Sequence, residues 1–188
     1  MCFKYFSIVC LCVLGGCAQL PQKNITPDQD LSPSVDQKHA AELNVELGLA
    51  YLERNQMIRS KEKLQHAQHL APNLSMTHYA MGYYWEQAGE SAEAEKEYLR
   101  AIQLHPGAEE YNHYGAFLCR SKQYAAAEKQ FLKAIADFHY TNASNIFENA
   151  GLCAMQQKNP IKAKYYLQQA IQKDPSKTKR LSEKIREL

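Results

Sequence analysis

The sequence predicts an all-α protein, a solenoid of four helix-turn-helix repeats followed by a C-terminal capping helix. Three observations support this prediction. Only 8 Gly and 7 Pro occur in 188 residues, so long stretches are free to be helical. Glycines recur every 33 to 36 residues, at Gly48, Gly82, Gly115 and Gly151. The composition, with 45% hydrophobic and 22% charged residues, is that of a folded domain and not of a disordered chain.

Each of these glycines begins the same pattern of residues. A small residue follows twelve positions later, a bulky residue sixteen later and an alanine nineteen later. The bulky residues are Leu64, Tyr98, Phe131 and Leu167. Proline stands twenty-four positions after the glycine in three repeats, at Pro72, Pro106 and Pro175. Because glycine and alanine let helix backbones approach closely and proline ends a helix, the pattern predicts two packed helices per repeat.

This register resembles the tetratricopeptide repeat (TPR), a helix-turn-helix unit of about 34 residues. It predicts a TPR domain over 41–188. The repeats are expected at about 41–74, 75–107, 108–143 and 144–177, with helix pairs over about 41–72, 75–106, 108–138 and 144–174. Asn159 before Pro160 predicts the start of the second helix in the last repeat. Segment 176–188 carries apolar residues on one helical face among many charges, which predicts a helix that caps the open end of the solenoid.

The first sixteen residues have the order of a bacterial secretory signal. Lys4 precedes an apolar run that is too short for a transmembrane helix, which needs roughly 20 residues. Residues 14–17, Leu-Gly-Gly-Cys, resemble a bacterial lipobox. The sequence therefore predicts a signal peptide at 1–16 and lipidation of Cys17, followed by a flexible linker over 17–40. An ordinary secretory signal with an incidental cysteine, or an uncleaved N-terminal anchor, is the alternative.

The residue after the lipobox cysteine gives an expected location. By resemblance to enterobacterial sorting, in which retained lipoproteins usually carry Asp at this position, Ala18 implies export to the outer membrane. One acyl chain holds a protein to a bilayer only marginally, whereas several chains on Cys17 would form a durable anchor. The expected location is the outer membrane, lipid-anchored and facing the periplasm.

Two cysteines remain for the folded domain if the signal is removed and Cys17 is lipidated. These are Cys119 and Cys153, which lie four and two residues after the glycines of consecutive repeats. First helices of neighbouring repeats pack side by side, and the periplasm is oxidising. The sequence therefore predicts a disulfide between Cys119 and Cys153, with two buried free thiols as the alternative.

The first helices of stacked repeats line the concave face of a TPR solenoid. In this register the face includes two tyrosines four residues apart, together with polar and charged residues. We predict a partner-binding groove formed by Tyr79, Tyr83, Glu86, Asn112 and Arg120. Aromatic area with a few hydrogen-bonding groups suits an extended or helical segment of a protein partner. The alternative is that some of these residues pack against a neighbouring helix.

The sequence contains no pattern that indicates catalysis or cofactor binding. It has no nucleotide-binding glycine loop, H-E-x-x-H, G-x-S-x-G or CxxC motif. We therefore predict that the protein is not an enzyme, with no cofactor, metal or small-molecule substrate. Lys and Arg number 22 against 20 Asp and Glu, with the signs interspersed, which argues against a nucleic-acid partner.

The sequence resembles the type IV pilus biogenesis and stability lipoproteins, the PilW/PilF pilotins. The resemblance rests on NHYGAFLC (112–119) and NAGLC (149–153) after a lipobox, and extends over 44–73, 77–106 and 111–135. It implies an outer-membrane-anchored scaffold that binds the secretin or pilus assembly proteins and supports secretin assembly. Members of the family usually carry more repeats than four. A TPR lipoprotein adaptor for cell-wall or outer-membrane assembly enzymes is the alternative.

Overall fold

Nine α-helices form in residues 34–137 and 139–188, the part of the chain that the computed structural model describes. In chain order they are α1 (Val35–Glu53), α2 (Met57–Leu70), α3 (Ser75–Gln87), α4 (Ser91–Leu104), α5 (Ala108–Arg120), α6 (Tyr124–Ile135), α7 (Ala143–Gln156), α8 (Pro160–Lys173) and α9 (Thr178–Arg186). A 3-10 turn, Pro175–Lys177, lies between α8 and α9. Neither described range contains a strand, so this domain is all-α, as the sequence predicts.

The first eight helices form four helix-turn-helix pairs. Within each pair the two helices pack together, and the second helix also packs against the first helix of the next pair. The first helices of neighbouring pairs contact one another, so α1, α3, α5 and α7 lie side by side. This is the nearest-neighbour packing of a repeat solenoid, in which the core continues from one pair to the next.

The recurring glycines are points of close approach between the two helices of a pair. Each glycine faces the bulky residue sixteen positions later, and a Cβ atom added to it would lie 2.6 to 3.2 Å from that side chain. The pairs are Gly48 with Leu64, Gly82 with Tyr98, Gly115 with Phe131, and Gly151 with Leu167. All four bulky side chains are buried. The register predicted from the sequence therefore corresponds to direct contacts between helices.

A residue with left-handed backbone lies in the turn inside every pair, seven positions after the repeat glycine. The φ angles are 57° at Asn55, 82° at Gly89, 62° at Lys122 and 61° at Lys158. Only glycine adopts this conformation without steric cost, and for other residues the cost is about 1–2 kcal/mol. Two of the four residues are lysines, which have no preference for this conformation. The packing of the helix pair, and not the local residue type, therefore imposes the turn.

Helix α1 begins earlier than the sequence predicts. Residues 35–40, expected to belong to the linker at 17–40, form the first turns of α1. Ser34 accepts a hydrogen bond from the backbone N–H of Gln37 at 3.2 Å, and the Gln37 side chain accepts one from the Ser34 N–H at 2.9 Å. This capping box is a helix-start signal, but it precedes the first repeat and so falls outside the repeat pattern.

The expected signal peptide at 1–16 and the expected lipidation site at Cys17 lie outside the described residues. Among the helices that are described, none is both long enough and apolar enough to cross a membrane.

Helix α9 covers the end of the solenoid next to α8. Leu181 of α9 is fully buried. Glu148 of α7 accepts two hydrogen bonds from the Arg180 guanidinium, at 2.6 and 2.8 Å, and its carboxylate lies 3.1 Å from Lys177 Nζ. These contacts, with Arg180 the strongest, hold the pKa of the Glu148 carboxyl below its usual range. The C-terminal helix predicted near 176–188 is therefore present, and ion pairs as well as an apolar contact hold it.

Candidate partner-binding groove

The face formed by the first helices, which is the concave face of a TPR solenoid, carries an open groove. The cavity there has a volume of about 310 Å³. Apolar and polar side chains share its lining, which consists of Leu49, Glu53, Tyr79, Ala80, Tyr83, Tyr98, His113, Ala116, Arg120 and Asn149. The lining includes the small Ala80 of α3 and Ala116 of α5 as well as the larger Leu49 and Tyr83. We call this cavity the groove.

Three of the predicted groove residues meet in one cluster. The Arg120 guanidinium of α5 donates from both Nε and Nη2 to the Glu86 carboxylate of α3, the second bond measuring 2.8 Å. The Tyr98 hydroxyl also donates to Glu86, at 3.2 Å. The Arg120 guanidinium carbon lies 5.8 Å from the centre of the Tyr83 ring. Glu86 is 12% exposed and Arg120 42% exposed, so Arg120 is held in place but still faces the groove.

Tyr79 is largely involved in packing between repeats. It is 6% exposed, and its ring stacks on His113 of the next first helix at a centroid distance of 4.1 Å. Its hydroxyl donates to the Glu109 carboxylate at 3.0 Å. Burial, and after it the neighbouring Glu109, raises the pKa of the Tyr79 phenol far above its usual value, so the hydroxyl stays a donor. The alternative raised in the sequence analysis, packing against a neighbouring helix, describes Tyr79 well.

Asn112 lies in a second, more polar part of the same face. It is 7% exposed and accepts a hydrogen bond from Asn149 Nδ2 at 3.0 Å. The cavity at Asn112 also includes Glu148 and shares His113 and Asn149 with the groove. The two cavities therefore form a continuous surface across α3, α5 and α7.

Two of these residues, His113 and Asn149, were missed by the sequence reasoning. Both stand two positions before a repeat glycine. The sequence interpretation considered the positions three before, one after and four after each glycine. A residue two positions before the glycine lies on the same side of the helix as the residue one position after it, because the two are three residues apart and an α-helix has 3.6 residues per turn. Helical geometry alone was therefore enough to find them.

The structure joins Cys119 of α5 and Cys153 of α7 in a disulfide, as the sequence predicts. The Cα atoms are 5.7 Å apart, and both residues are buried. The bond links the first helices of repeats three and four, which carry the polar part of the groove face. It therefore fixes the spacing of the surface that a partner would contact. In the described residues no group of three or more His, Cys, Asp or Glu side chains is placed to hold a metal ion.

No protein-family model matches the chain. The chain is 30% identical over 159 residues to the type IV pilus assembly protein PilF of Pseudomonas aeruginosa. The match covers 84% of this chain and 61% of PilF, so the chain spans about three fifths of the length of that relative.

Solved structures give the same relationship at the level of the fold. The Pseudomonas aeruginosa pilF structure has a TM-score of 0.66 at 30% identity, covering 74% of this chain and 64% of that one. PilW, described as a widely conserved type IV pilus biogenesis factor, has a TM-score of 0.63 at 23% identity, covering 72% and 62%. The TPR protein YrrB has a TM-score of 0.58 at 21% identity, covering 79% and 75%. Together these matches show that the chain is a PilF/PilW-like tetratricopeptide-repeat protein.

Proposed function

We propose that this protein is a scaffold of the outer membrane that binds a segment of a pilus assembly partner in the groove and supports secretin assembly in type IV pilus biogenesis. The match to PilF over 84% of the chain is the observation that carries the proposal. PilF is itself a type IV pilus assembly protein. The secretin enters as the partner that the sequence resemblance implies.

The groove has features that suit a protein segment. Leu49 and Tyr83 are partly exposed in the lining of the groove. A partner side chain bound between them would bury aromatic and aliphatic area at the centre of an interface. Arg120 is already held by Glu86, so little side-chain freedom would be lost when it contacts a partner. The disulfide and the packing of Tyr79 keep the surrounding helices in place. The groove is therefore preorganised for binding.

The membrane anchor in this proposal is the lipidated Cys17, facing the periplasm. Labelled palmitate should enter the wild-type protein, and Cys17→Ser should neither incorporate the label nor stay in the membrane fraction. Equal labelling of both proteins would remove the anchor from the proposal, while leaving the groove untouched.

Binding in the groove is tested by substitutions that enlarge or remove a side chain of its lining. Ala116→Trp should fill the space beside Tyr83, and Tyr83→Ala should remove the aromatic anchor, at a cost of about 2 kcal/mol or more in binding. Leu132→Ala is the matched control, since Leu132 is 50% exposed on the second helix α6. Arg120 is a poor target, because reversing its charge would leave the largely buried Glu86 beside a second carboxylate.

The readout is the secretin in cells. Wild-type and Leu132→Ala cells should show heat-resistant secretin multimers on gels, whereas A116W and Y83A cells should show monomer with the variant protein still present at normal level. If multimers form normally in both groove variants and in a full deletion, the pilus proposal is wrong. The adaptor for cell-wall or outer-membrane assembly enzymes then takes its place.

A further inference from the structure

Helix α1 carries an apolar surface at the first edge of the solenoid that no other described element covers. In repeats two to four, the residues five before, one before and two after the repeat glycine are all buried, at 8% exposure or less. They face the preceding repeat, as Tyr114 and Phe117 do when they pack on Tyr98. Of their equivalents in repeat one, Leu43 and Leu47 are 46% and 47% exposed and Ala50 is half-buried. No preceding repeat covers them within the described residues.

These leucines belong to a longer stripe along one side of α1. The stripe consists of Asp36, Ala40, Leu43, Leu47 and Ala50, and it is continued by Arg54, the C-cap residue just after the helix; the spacing alternates between four and three residues. That spacing places them on one helical face and is typical of the seam between two packed helices. The opposite face of α1 holds the buried residues of the solenoid core, such as Val45 and Leu52.

The early start of α1 completes this stripe. Helix α1 begins thirteen residues before its glycine, whereas α3 and α5 begin seven residues before theirs. The extra turns supply Asp36, which has no counterpart in the first helices of the later repeats, and Ala40, whose counterpart in α7 is Ala143 at the start of that helix. Together they carry the stripe to the N-terminal end of α1.

The stripe is complementary to itself when one copy is reversed. If two α1 helices pair antiparallel about an axis at the level of Val45, Leu43 faces Leu47 of the second copy and Ala40 faces its Ala50. At each end Asp36 then faces Arg54 of the second copy. A parallel pair would instead oppose like charges at both ends. The small alanines allow close approach and the charges favour the antiparallel arrangement.

We propose that α1 pairs with α1 of a second copy of this chain in a symmetric antiparallel dimer. The contact is isologous, because the same surface of both chains forms it around a two-fold axis. The two pairs of leucines form its apolar centre and the two Asp36 to Arg54 contacts close its ends. The groove on the concave face stays open in each copy, so partner binding and dimerisation are independent properties.

The test is sedimentation equilibrium of the full chain purified in mild detergent, with thermal melting as the folding control. The wild type should dimerise reversibly. Leu43→Lys combined with Leu47→Lys should leave a monomer with unchanged melting, whereas the control Leu132→Lys, also an exposed leucine, should still dimerise.

Charge reversal tests the register. Asp36→Arg or Arg54→Asp alone should weaken dimerisation roughly tenfold, because each reversal opposes like charges at both symmetric ends. The double variant D36R/R54D exchanges the charges and should restore the wild-type dissociation constant to within about threefold. A wild type that stays monomeric at about 100 µM, a dimer that survives the leucine substitutions, or a double reversal no better than either single one would each overturn the proposal.

Discussion

Replacing Gly151 by alanine tests whether the repeat glycines are required for close contact between helices. The added Cβ would lie 2.7 Å from Leu167 Cδ2 and 3.2 Å from the Leu167 backbone nitrogen. A carbon contact under 3.0 Å requires something to shift, and Leu167 is fully buried in a core that is expected to be closely packed. The same substitution at Gly82 is the matched control, since its Cβ would lie 3.2 Å from the Tyr98 ring.

The expected effect is the difference between two opposing terms. Overpacking a filled core costs about 1–3 kcal/mol, and alanine in place of glycine inside a helix returns about 0.8–1 kcal/mol. Gly151→Ala should therefore lower the free energy of unfolding by about 1 kcal/mol, with an upper bound near 2. At Gly82 the Tyr98 ring needs to shift by only a few tenths of an ångström, so Gly82→Ala should lie between neutral and stabilising by about 1 kcal/mol. In a domain of this size, 1 kcal/mol corresponds to roughly 2–4 °C in Tm.

The assay is urea denaturation of the full chain followed by far-UV circular dichroism. A double-mutant cycle identifies the contact: Leu167→Ala removes the side chain that the new methyl group meets, so it should cost less in the G151A background than in the wild type. Two findings would refute the reasoning, namely G151A at least as stable as G82A, or additivity of G151A and L167A within about 0.5 kcal/mol.

Three further predictions concern stability. C119A/C153A should lose on the order of 3–4 kcal/mol by the chain-entropy model for a loop of 34 residues, and reductant should shift the wild-type urea transition but not that of the variant. The lowered pKa of Glu148 means that its contribution is present at neutral pH and lost as the pH falls below about 4. Glu148→Gln should therefore lower Tm at pH 7 and make the fall of Tm with decreasing pH less steep. Lys158→Gly, at a left-handed turn position, should raise the free energy of unfolding by up to about 1 kcal/mol in the same urea titration.

Most of the fold could be predicted because each repeat encodes its own helix contact. The glycine and the bulky residue sixteen positions later are visible in the sequence, and they touch in the structure. The turn conformation at Lys122 and Lys158 could not be predicted, because lysine has no preference for left-handed backbone and the helix pair imposes it. The start of α1 at Val35 was missed since the capping box of Ser34 lies outside the repeat period.

The sequence could predict which helices carry the candidate site but not how exposed each of its side chains is. Residues Glu86 and Arg120 lie 34 positions apart on neighbouring first helices, and the repeat period is enough to bring them together. Whether a side chain reaches the groove depends on what its neighbour is. Tyr79 is covered because His113 offers a ring to stack on, whereas Tyr83 stays partly exposed beside the small Ala116. Such contacts between different residue types do not recur from repeat to repeat, so the repeat pattern does not predict them and only the structure shows them.

The surfaces available for binding arise where the periodic packing is interrupted. Met81 and Leu47 occupy the same position of the register, one residue before the glycine, yet Met81 is 2% exposed and Leu47 is 47% exposed. The difference in exposure follows from the preceding repeat. Repeat one covers Met81, whereas the described residues contain no repeat that could cover Leu47. The groove too is lined by residues that differ between repeats, since alanine stands one residue after the glycine at Ala116 where Leu49 and Tyr83 stand in the first two repeats. In this solenoid the repeat period builds the core, and the departures from it leave surfaces exposed on which other molecules could bind.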